Sequence, residues 1–169
     1  GGGSICSTRV QTGHGLPGLQ TIFECSKTDR DVAIIADGGI RNSGDIVKAL
    51  AAGADAVMCG SLLAGTTESP GDIFEDRDGF RYKSYRGMAS KEAQMKWKGK
   101  YSSFEGVATR VPFRGSVIKI LEDIERGIRS GFSYSGALNL RDLQRKAMFV
   151  RQTTAGLGES NTHINTRKW

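Results

Sequence analysis

The sequence has few of the features that mark secreted or membrane proteins. Its three cysteines, Cys6, Cys25 and Cys59, are odd in number and lack paired spacing, which argues against a disulfide framework. No apolar run approaches the roughly 20 residues that a helix needs to span a bilayer, and no signal peptide stands at the start. These absences predict a protein of the reducing cytoplasm that has no membrane partner.

Proline is also scarce, whereas glycine is abundant, with 3 Pro and 23 Gly in 169 residues. The glycines lie between apolar runs, so they predict tight turns and places where backbone approaches a ligand closely, rather than a disordered linker. The length fits one domain. Because the chain lacks an initiator Met and opens inside a ligand-like loop, we expect residues 1–169 to be the C-terminal part of a single, longer catalytic domain.

The formal net charge of +6 leaves two interpretations open. One is an anionic partner such as a phosphate group, and the other is a solvated basic surface. No basic stripe interleaved with aromatic residues is present, so a nucleic-acid partner is not expected.

Two apolar runs with a helical pattern between them predict a strand–helix–strand unit. Residues 32–36 end at Asp37-Gly38-Gly39, and residues 54–59 end at Gly60-Ser61. The intervening helix begins near Asn42 or Ser43 and stops at Gly53. Continuous apolar runs are typical of parallel strands that are buried on both faces. Ligands gather at the carboxyl ends of such strands, where both glycine turns lie.

The rest of the chain gives a coarser prediction. It predicts a loop over residues 1–16, helices over 16–27, 117–128 and 140–147, a hairpin at Asp78-Gly79, an irregular loop over 89–110, and a polar tail from Thr153 that is disordered or bridges subunits.

The opening run holds a candidate nucleophile. Its three glycines allow backbone N–H groups to converge on an anion. Cys6 stands beside Thr8 and Arg9, where a positive field would lower the pKa of the thiol and Thr8 would relay a proton. The alternative is that Cys6 is a small buried hydrophobic residue.

The strand ends hold candidate phosphate and ribose contacts. Asp37 is a good acceptor for a vicinal diol, and the glycines that follow both strands permit a close approach of phosphate. Tyr85 can donate to phosphate, and Met88 can pack against a base. Taken singly, each of these features is also compatible with an ordinary turn, and Glu105 with a solvated loop carboxylate.

The ordered set of motifs resembles the IMP dehydrogenase/GMP reductase family over residues 1 to about 164. It comprises Gly1-x-Gly3-Ser4-Ile5-Cys6-x-Thr8, Asp37-Gly38-Gly39, Gly60-Ser61, Tyr85-Arg86-Gly87-Met88 and Glu105-Gly106. The resemblance implies an α/β fold, namely the C-terminal portion of a (β/α)₈ TIM barrel with strands seven and eight, a flap and a tail.

The resemblance also implies a covalent mechanism on a purine nucleoside 5′-monophosphate, with NADPH or NAD as hydride carrier, a potassium ion and a homotetramer. The implied catalytic residues are Cys6, Thr8 and Glu105. The implied substrate-binding residues are Ser4, Asp37, Gly38, Gly39, Gly60, Ser61, Tyr85, Gly87, Met88, Ala89, Glu105 and Gly106. The implied cation site consists of Gly1, Gly3 and Cys6 carbonyls with Glu159 and Ser160 of the tail.

Within this family the sequence favours the reductase, which converts GMP to IMP. The segment between Ala89 and Glu105 is short and lacks the Arg-Tyr pair with which the dehydrogenase activates water; Lys100-Tyr101 is the nearest substitute. The run of residues 111–115 is similar to that of the reductases. The alternative is an IMP dehydrogenase, favoured by the extended tail and by Ser102. A third possibility is an inactive half-barrel that only binds nucleotide, because two of eight strands cannot close a barrel.

Overall fold

The computed structural model describes residues 2–102, 105–160 and 162. Helices and strands alternate along most of the chain. In order they are α1 (Thr8–Thr12), α2 (Gly18–Cys25), β1 (Ile35–Asp37), α3 (Ser43–Ala51), β2 (Ala56–Met58), β3 (Ile73–Glu75), β4 (Arg81–Arg86), α4 (Lys91–Lys98), β5 (Ala108–Pro112), α5 (Val117–Tyr134), α6 (Leu140–Lys146) and α7 (Thr154–Glu159).

The predicted strand–helix–strand unit is confirmed. Strands β1 and β2 are parallel, with Ile35 opposite Ala56 and Asp37 opposite Met58, and α3 connects them. The Asn42 side chain accepts a hydrogen bond from the Asp45 N–H at 2.9 Å, so it caps the helix as its sequence position indicates. The two glycine turns therefore lie side by side, one at the end of each strand.

The prediction that both strands are buried on both faces is wrong. Val32, Ile35 and Met58 are 55%, 56% and 52% exposed, because the parallel sheet has only two strands in the described part of the chain. Within residues 2–102, 105–160 and 162 the sheet forms no closed barrel. The fold is α/β, and these exposed apolar side chains lie where a larger parallel sheet would bury them.

A second, antiparallel sheet follows in the order β3-β4-β5. The predicted hairpin is confirmed: Asp76 Oδ1 accepts the Phe80 N–H at 2.8 Å, and Gly79 adopts a φ of 81°. The prediction of an irregular loop over residues 89–110 is wrong, because it contains α4 and β5. Ser90 caps α4 by accepting the Ala93 N–H, and β5 pairs with β4 along its full length.

The helices differ from the sequence predictions mainly at the ends of the chain. The loop predicted for residues 1–16 contains the short helix α1, and the tail from Thr153 contains α7, with Thr153 itself as the N-cap. Helix α5 continues six residues past Ile128 to Tyr134. No helix in the described residues is both long and apolar enough to cross a membrane.

Two buried clusters hold the helices in place. The larger joins α2, α3 and the strands through Ile22, Ala36 and Ile46. The smaller lies between α3, α5 and α6, where Leu143 is completely buried and Phe132 packs against the cluster. The glycine turns and the strand ends are thus carried by a packed helix–strand layer.

We expect Leu143→Ala to lower the free energy of unfolding by about 2–5 kcal/mol, because it removes a fully buried side chain and leaves a cavity. Leu138→Ala is the matched control: Leu138 is 91% exposed, and its truncation is expected to cost less than about 0.5 kcal/mol. Urea denaturation followed by circular dichroism measures both. An equal loss of unfolding free energy in the two variants would contradict the burial of Leu143 in the smaller cluster.

Candidate functional site

The nucleophile loop, residues 2–7, is a tight turn that leads directly into α1. The Cys6 N–H donates to the Gly3 carbonyl at 3.1 Å, and helix α1 begins at Thr8. Cys6 is half-buried. The Cys6 side chain therefore lies close to the hydroxyl of Thr8, the first residue of α1.

The segment 105–107 pairs with two other parts of the chain at once. Gly106 forms an antiparallel bridge with Cys6 and a parallel bridge with Ser90. On one side the Ser7 N–H donates to the Glu105 carbonyl at 2.8 Å, and on the other the Glu105 N–H donates to the Ala89 carbonyl at 3.1 Å. This pairing brings Glu105 to the nucleophile loop.

Cys6, Thr8 and Glu105 form a continuous hydrogen-bond chain. The Cys6 thiol donates to Thr8 Oγ1 at 3.2 Å, and the Thr8 hydroxyl donates to Glu105 Oε2 at 2.7 Å. A proton can pass along this chain from sulfur to carboxylate in one concerted shift, because each group already faces its acceptor. The structure thus brings together the three residues for which the sequence predicted catalytic roles, and those roles remain predictions.

The electrostatics distinguish Cys6 from the other half-buried cysteine. Once the thiol is ionised, Thr8 can donate to the sulfur, and these hydrogen bonds, from its side chain and then its backbone, lower the pKa of the Cys6 thiol against the opposing effect of burial. Burial raises the pKa of the Cys59 thiol. Cys6 is therefore the better nucleophile of the two near neutral pH, since the thiolate is the reactive form.

The sequence-based reason for a reactive Cys6 was partly wrong. The Arg9 guanidinium does not contribute to the lowered pKa of Cys6; its Nη2 donates to the Leu16 carbonyl at 2.9 Å, and it packs against Gly15. The neighbour that matters is Thr8, whose hydroxyl was predicted only as a relay.

At the end of β1 the backbone approaches the nucleophile loop closely. A Cβ on Gly38 would lie 2.7 Å from the Gly3 nitrogen and 2.9 Å from the Gly2 carbonyl carbon, and the φ of Gly38 is 90°. Only glycine fits this position. Gly39, with a φ of 77°, and the exposed carboxylate of Asp37 lie beside the same contact.

At the end of β2 a similar contact brings in the antiparallel sheet. A Cβ on Gly60 would lie 2.8 Å from the Tyr85 hydroxyl, so this donor stands directly over the Gly60 backbone. Ser61 is half-buried beside it, and Ser4 is exposed on the nucleophile loop. Hydroxyl and backbone donors with little side-chain bulk are suited to phosphate.

A cavity of about 610 Å³ opens along β1 next to these strand ends. Its lining includes Asp37, Gly38 and Gly39 at the end of β1, apolar side chains such as Leu19 and Ile35, and the charged residues Arg9, Asp45 and Lys48. The predicted ribose and phosphate residues at the end of β1 thus border open space.

The remaining predicted residues are placed less completely. Gly87 packs against Gly106 and Ile5, whereas the Met88 side chain is 79% exposed and the Ala89 carbonyl is occupied by the Glu105 N–H. Met88 and Ala89 therefore lie beside Glu105, and their contact with a base stays a prediction.

The predicted potassium site lies only partly within the described residues. Gly1 lies outside them, and the Gly3 carbonyl accepts the Cys6 N–H. Ser160 bonds within the tail, to Gln152 and Gly156, at the end of α7 beside Glu159. A potassium ion thus stays a prediction for these residues.

Sequence reasoning missed two buried polar residues near the site. Ser90 is completely buried, where its side chain caps α4 and its N–H donates to the Gly87 carbonyl. The available signal was a serine directly before a run of helix-forming residues. Lys83 is 2% exposed in β4, and nothing in the sequence distinguishes it from a surface lysine.

Comparison with known proteins identifies the family. The sequence profile described as IMP dehydrogenase / GMP reductase domain matches residues 1–163. Inosine-5′-monophosphate dehydrogenases of Aquifex aeolicus and Nitrosopumilus maritimus are 49% and 45% identical, covering 96% of this chain and 35% and 37% of their own lengths. A solved structure of a Trypanosoma brucei GMP reductase, a cysteine-to-alanine variant in complex with guanosine 5′-monophosphate, matches with a TM-score of 0.90 and 45% identity over 96% of this chain and 35% of that chain.

The fold and the site therefore define part of an α/β oxidoreductase domain. The chain belongs to the IMP dehydrogenase/GMP reductase family of purine nucleotide oxidoreductases, which confirms the resemblance found in the sequence. It spans little more than a third of the length of the relatives it matches. Its two parallel strands correspond to part of their barrel.

We expect Thr8→Val to raise the pKa of Cys6 and to slow its alkylation near neutral pH, because the variant loses the hydroxyl whose hydrogen bond lowers this pKa. The measurement is the pH dependence of iodoacetamide labelling in a background that carries Cys25→Ser and Cys59→Ser. Thr109→Val, on exposed β5, is the control. An unchanged titration midpoint in Thr8→Val would refute the electrostatic role of Thr8.

We expect Gly38→Ala to destabilise the fold more than Gly13→Ala. Both glycines have positive φ, 90° and 71°, so both variants are strained, but a Cβ at Gly13 meets nothing within 4 Å. The difference in urea unfolding free energy, about 1–3 kcal/mol, therefore reports the contact between Gly38 and the nucleophile loop. Equal destabilisation would mean that this close approach is absent in solution.

Proposed function

We propose that this chain carries the covalent site of an NADPH-dependent GMP reductase, which converts GMP to IMP with loss of ammonia. The observation that carries the proposal is the hydrogen-bond chain from Cys6 through Thr8 to Glu105. Such a chain links a nucleophile to a carboxylate that can take up the thiol proton and return it to a leaving group. Deamination needs both a nucleophile and a proton donor at the carbon that carries the amino group.

The chemistry balances with these three groups. The thiol proton passes through Thr8 to Glu105, and the Cys6 thiolate bonds to C2 of guanine while the electron pair of the C2–N3 double bond moves to N3, which takes a proton from solvent. Glu105 then returns its proton through Thr8 to the C2 amino group. The C–N bond breaks, ammonia leaves with the bond pair, and N3 loses its proton as the C2–N3 double bond re-forms.

A hydride on C2 is the chemistry that a reduced nicotinamide supplies when bound. This part of the proposal rests on the family, because no residue of the chain is assigned to the cofactor. Cys6 then leaves C2 as a thiolate with the electrons of the C–S bond. The product is IMP, and Cys6 again faces the Thr8 hydroxyl.

The strand ends fit the nucleotide's other groups. The Tyr85 hydroxyl above Gly60, with Ser61 and the bare backbone of Gly39, offers donors for a 5′-phosphate. The exposed Asp37 carboxylate beside them can accept from both ribose hydroxyls. Cytoplasmic location and a homotetramer belong to the same proposal.

The segment before Glu105 supports the reductase branch. Residues 91–98 form helix α4, and neither this helix nor the residues that flank it contain an Arg-Tyr pair to activate water.

IMP dehydrogenase is the second candidate, because several curated relatives at 43–49% identity bear that name. In that reaction Cys6 would bond to C2 of IMP, a hydride would pass from C2 to NAD, and water would hydrolyse the bond between C2 and the Cys6 sulfur to release XMP. A nucleotide-binding module without turnover is the third candidate, since the chain covers little more than a third of these relatives.

We expect the native full-length polypeptide to consume NADPH with GMP and to release ammonia, and Glu105→Gln to lower this rate by about 10²- to 10⁴-fold, because an amide cannot carry the proton. Absorbance at the nicotinamide band and an ammonia assay measure it, and Cys6→Ser should abolish the reaction. Glu122→Gln, on exposed α5, is the control.

The same assay separates the three candidates. NADH production from IMP, with no reaction of GMP, would replace the reductase by the dehydrogenase. If the protein binds nucleotide but turns over neither GMP nor IMP, the third candidate, a nucleotide-binding module, would be supported.

A further inference from the structure

Lys83 is a nearly fully buried cation in the central strand of the antiparallel sheet. It is 2% exposed. Its ammonium donates to the carbonyls of Thr66 at 2.9 Å and Thr67 at 3.3 Å, and also to the carbonyl of Ser69. These three bonds use all three N–H donors of the group.

The direct partners of this charge are backbone carbonyls, whereas the Glu68 carboxylate, which interacts with it at longer range, bonds to Ser116 and Val117. Among the described residues no carboxylate lies within the 4.0 Å of an ion pair with the Lys83 ammonium. Burying an ammonium costs several kcal/mol unless strong partners compensate. An apolar side chain would fill the same volume without that cost, but it could not bond to the three carbonyl groups.

The three carbonyls lie at the end of residues 60–69, a segment that begins at the glycine turn Gly60-Ser61 after β2. Between them, successive turns connect Gly60 to Ser69: the Leu63 N–H donates to the Gly60 carbonyl at 3.1 Å, and the Thr66 N–H donates to the Leu63 carbonyl at 3.1 Å. The Ser69 hydroxyl bonds back to the carbonyls of Ala64 and Thr66. Fixing residues 66–69 therefore also fixes Gly60.

The other end of the connection runs along β4. Lys83 and Tyr85 are two residues apart in a strand, so their side chains lie on the same face of the sheet. Strand β4 is held on both sides, with Lys83 opposite Ile73 of β3 and Val111 of β5. The Lys83 ammonium thus ties the segment that carries Gly60 to the strand that carries Tyr85.

We propose that Lys83 is a positioning residue, whose tethered ammonium occupies a carbonyl cage and thereby holds the Tyr85 hydroxyl over Gly60 for the nucleotide's phosphate group. The cage is the set of carbonyls of Thr66, Thr67 and Ser69. The phosphate role rests on the proposed function, whereas the cage does not. The Lys83 ammonium thus occupies the position in which a free monovalent cation would bind to these three carbonyl oxygens.

The test uses two variants of the native polypeptide that differ in whether the cage is left open. Lys83→Ala removes the whole side chain and leaves room for a small cation, whereas Lys83→Met removes the charge but keeps the volume filled. Ethylammonium chloride is the rescuing probe, and tetramethylammonium chloride, which has no N–H donor, is the ionic-strength control. Lys119→Ala, on exposed α5, is the control for losing a surface lysine.

Hydrogen–deuterium exchange tests the cage without any nucleotide. We expect the amides of residues 60–69 to exchange roughly tenfold faster in both variants, and ethylammonium to restore slow exchange in Lys83→Ala alone. Unchanged exchange at residues 60–69, or equal rescue of Lys83→Met, would overturn the proposal.

Calorimetric titration with GMP, and with guanosine as the ligand that lacks the phosphate, tests the link to the site. We expect both variants to bind GMP roughly tenfold more weakly and to bind guanosine with unchanged affinity. Ethylammonium should restore the affinity for GMP in Lys83→Ala, and the pKa of Cys6 should stay the same in both variants. An equal loss for both ligands would overturn the positioning role. If the unaltered protein binds neither ligand, the proposed function fails, and hydrogen exchange alone decides the role of Lys83.

Discussion

The candidate site depends on the backbone of a single buried glycine. Gly106 pairs with Cys6 on one side and with Ser90 on the other, and a Cβ there would lie 3.3 Å from the Ser90 nitrogen. Through this double pairing, residues 105–107, which follow α4, lie between the nucleophile loop and the turn at Gly87. The absence of a side chain at Gly106 leaves room for this double pairing, which places Glu105 beside Thr8.

The site joins two parts of the chain with different architectures. The parallel unit supplies the glycine turns after β1 and β2, whereas the antiparallel sheet supplies Tyr85 and, further on, Glu105. Close backbone approaches connect the parts: Gly38 contacts the nucleophile loop, and Gly60 lies under the Tyr85 hydroxyl. The distances between the candidate hydrogen-bond donors therefore depend on close contacts at Gly38 and Gly60, where a larger side chain would not fit.

Much of this arrangement could be predicted from the sequence, because its signals are local. Apolar runs that end in glycine predicted β1 and β2, Asn42 predicted the start of α3, and Asp78-Gly79 predicted the hairpin. The segment 89–110 could not be predicted in the same way, because β5 is a strand only by pairing with β4. Burial failed at Val32 and Ile35 for a related reason: an apolar run shows that a residue can be buried, not that a partner covers it.

The site shows the same division between local and long-range signals. Ordered motifs predicted the set Cys6, Thr8 and Glu105, yet sequence proximity suggested Arg9 as the electrostatic influence on the thiol, whereas the structure turns Arg9 to the Leu16 carbonyl. Lys83 gave no signal at all, since its burial depends on three carbonyls that lie 14 to 17 residues away along the chain.

The separation of 97 residues between Thr8 and Glu105 has a consequence for the biosynthesis of the protein. While the chain is being made or is still unfolded, the cysteine lacks the ordered neighbours that increase its reactivity, and it behaves as an ordinary thiol. Closing so long a loop carries an entropic cost, so the complete hydrogen-bond chain forms only with long-range structure. The full route for a proton from the sulfur to Glu105 therefore exists only after these two distant parts of the chain have packed together.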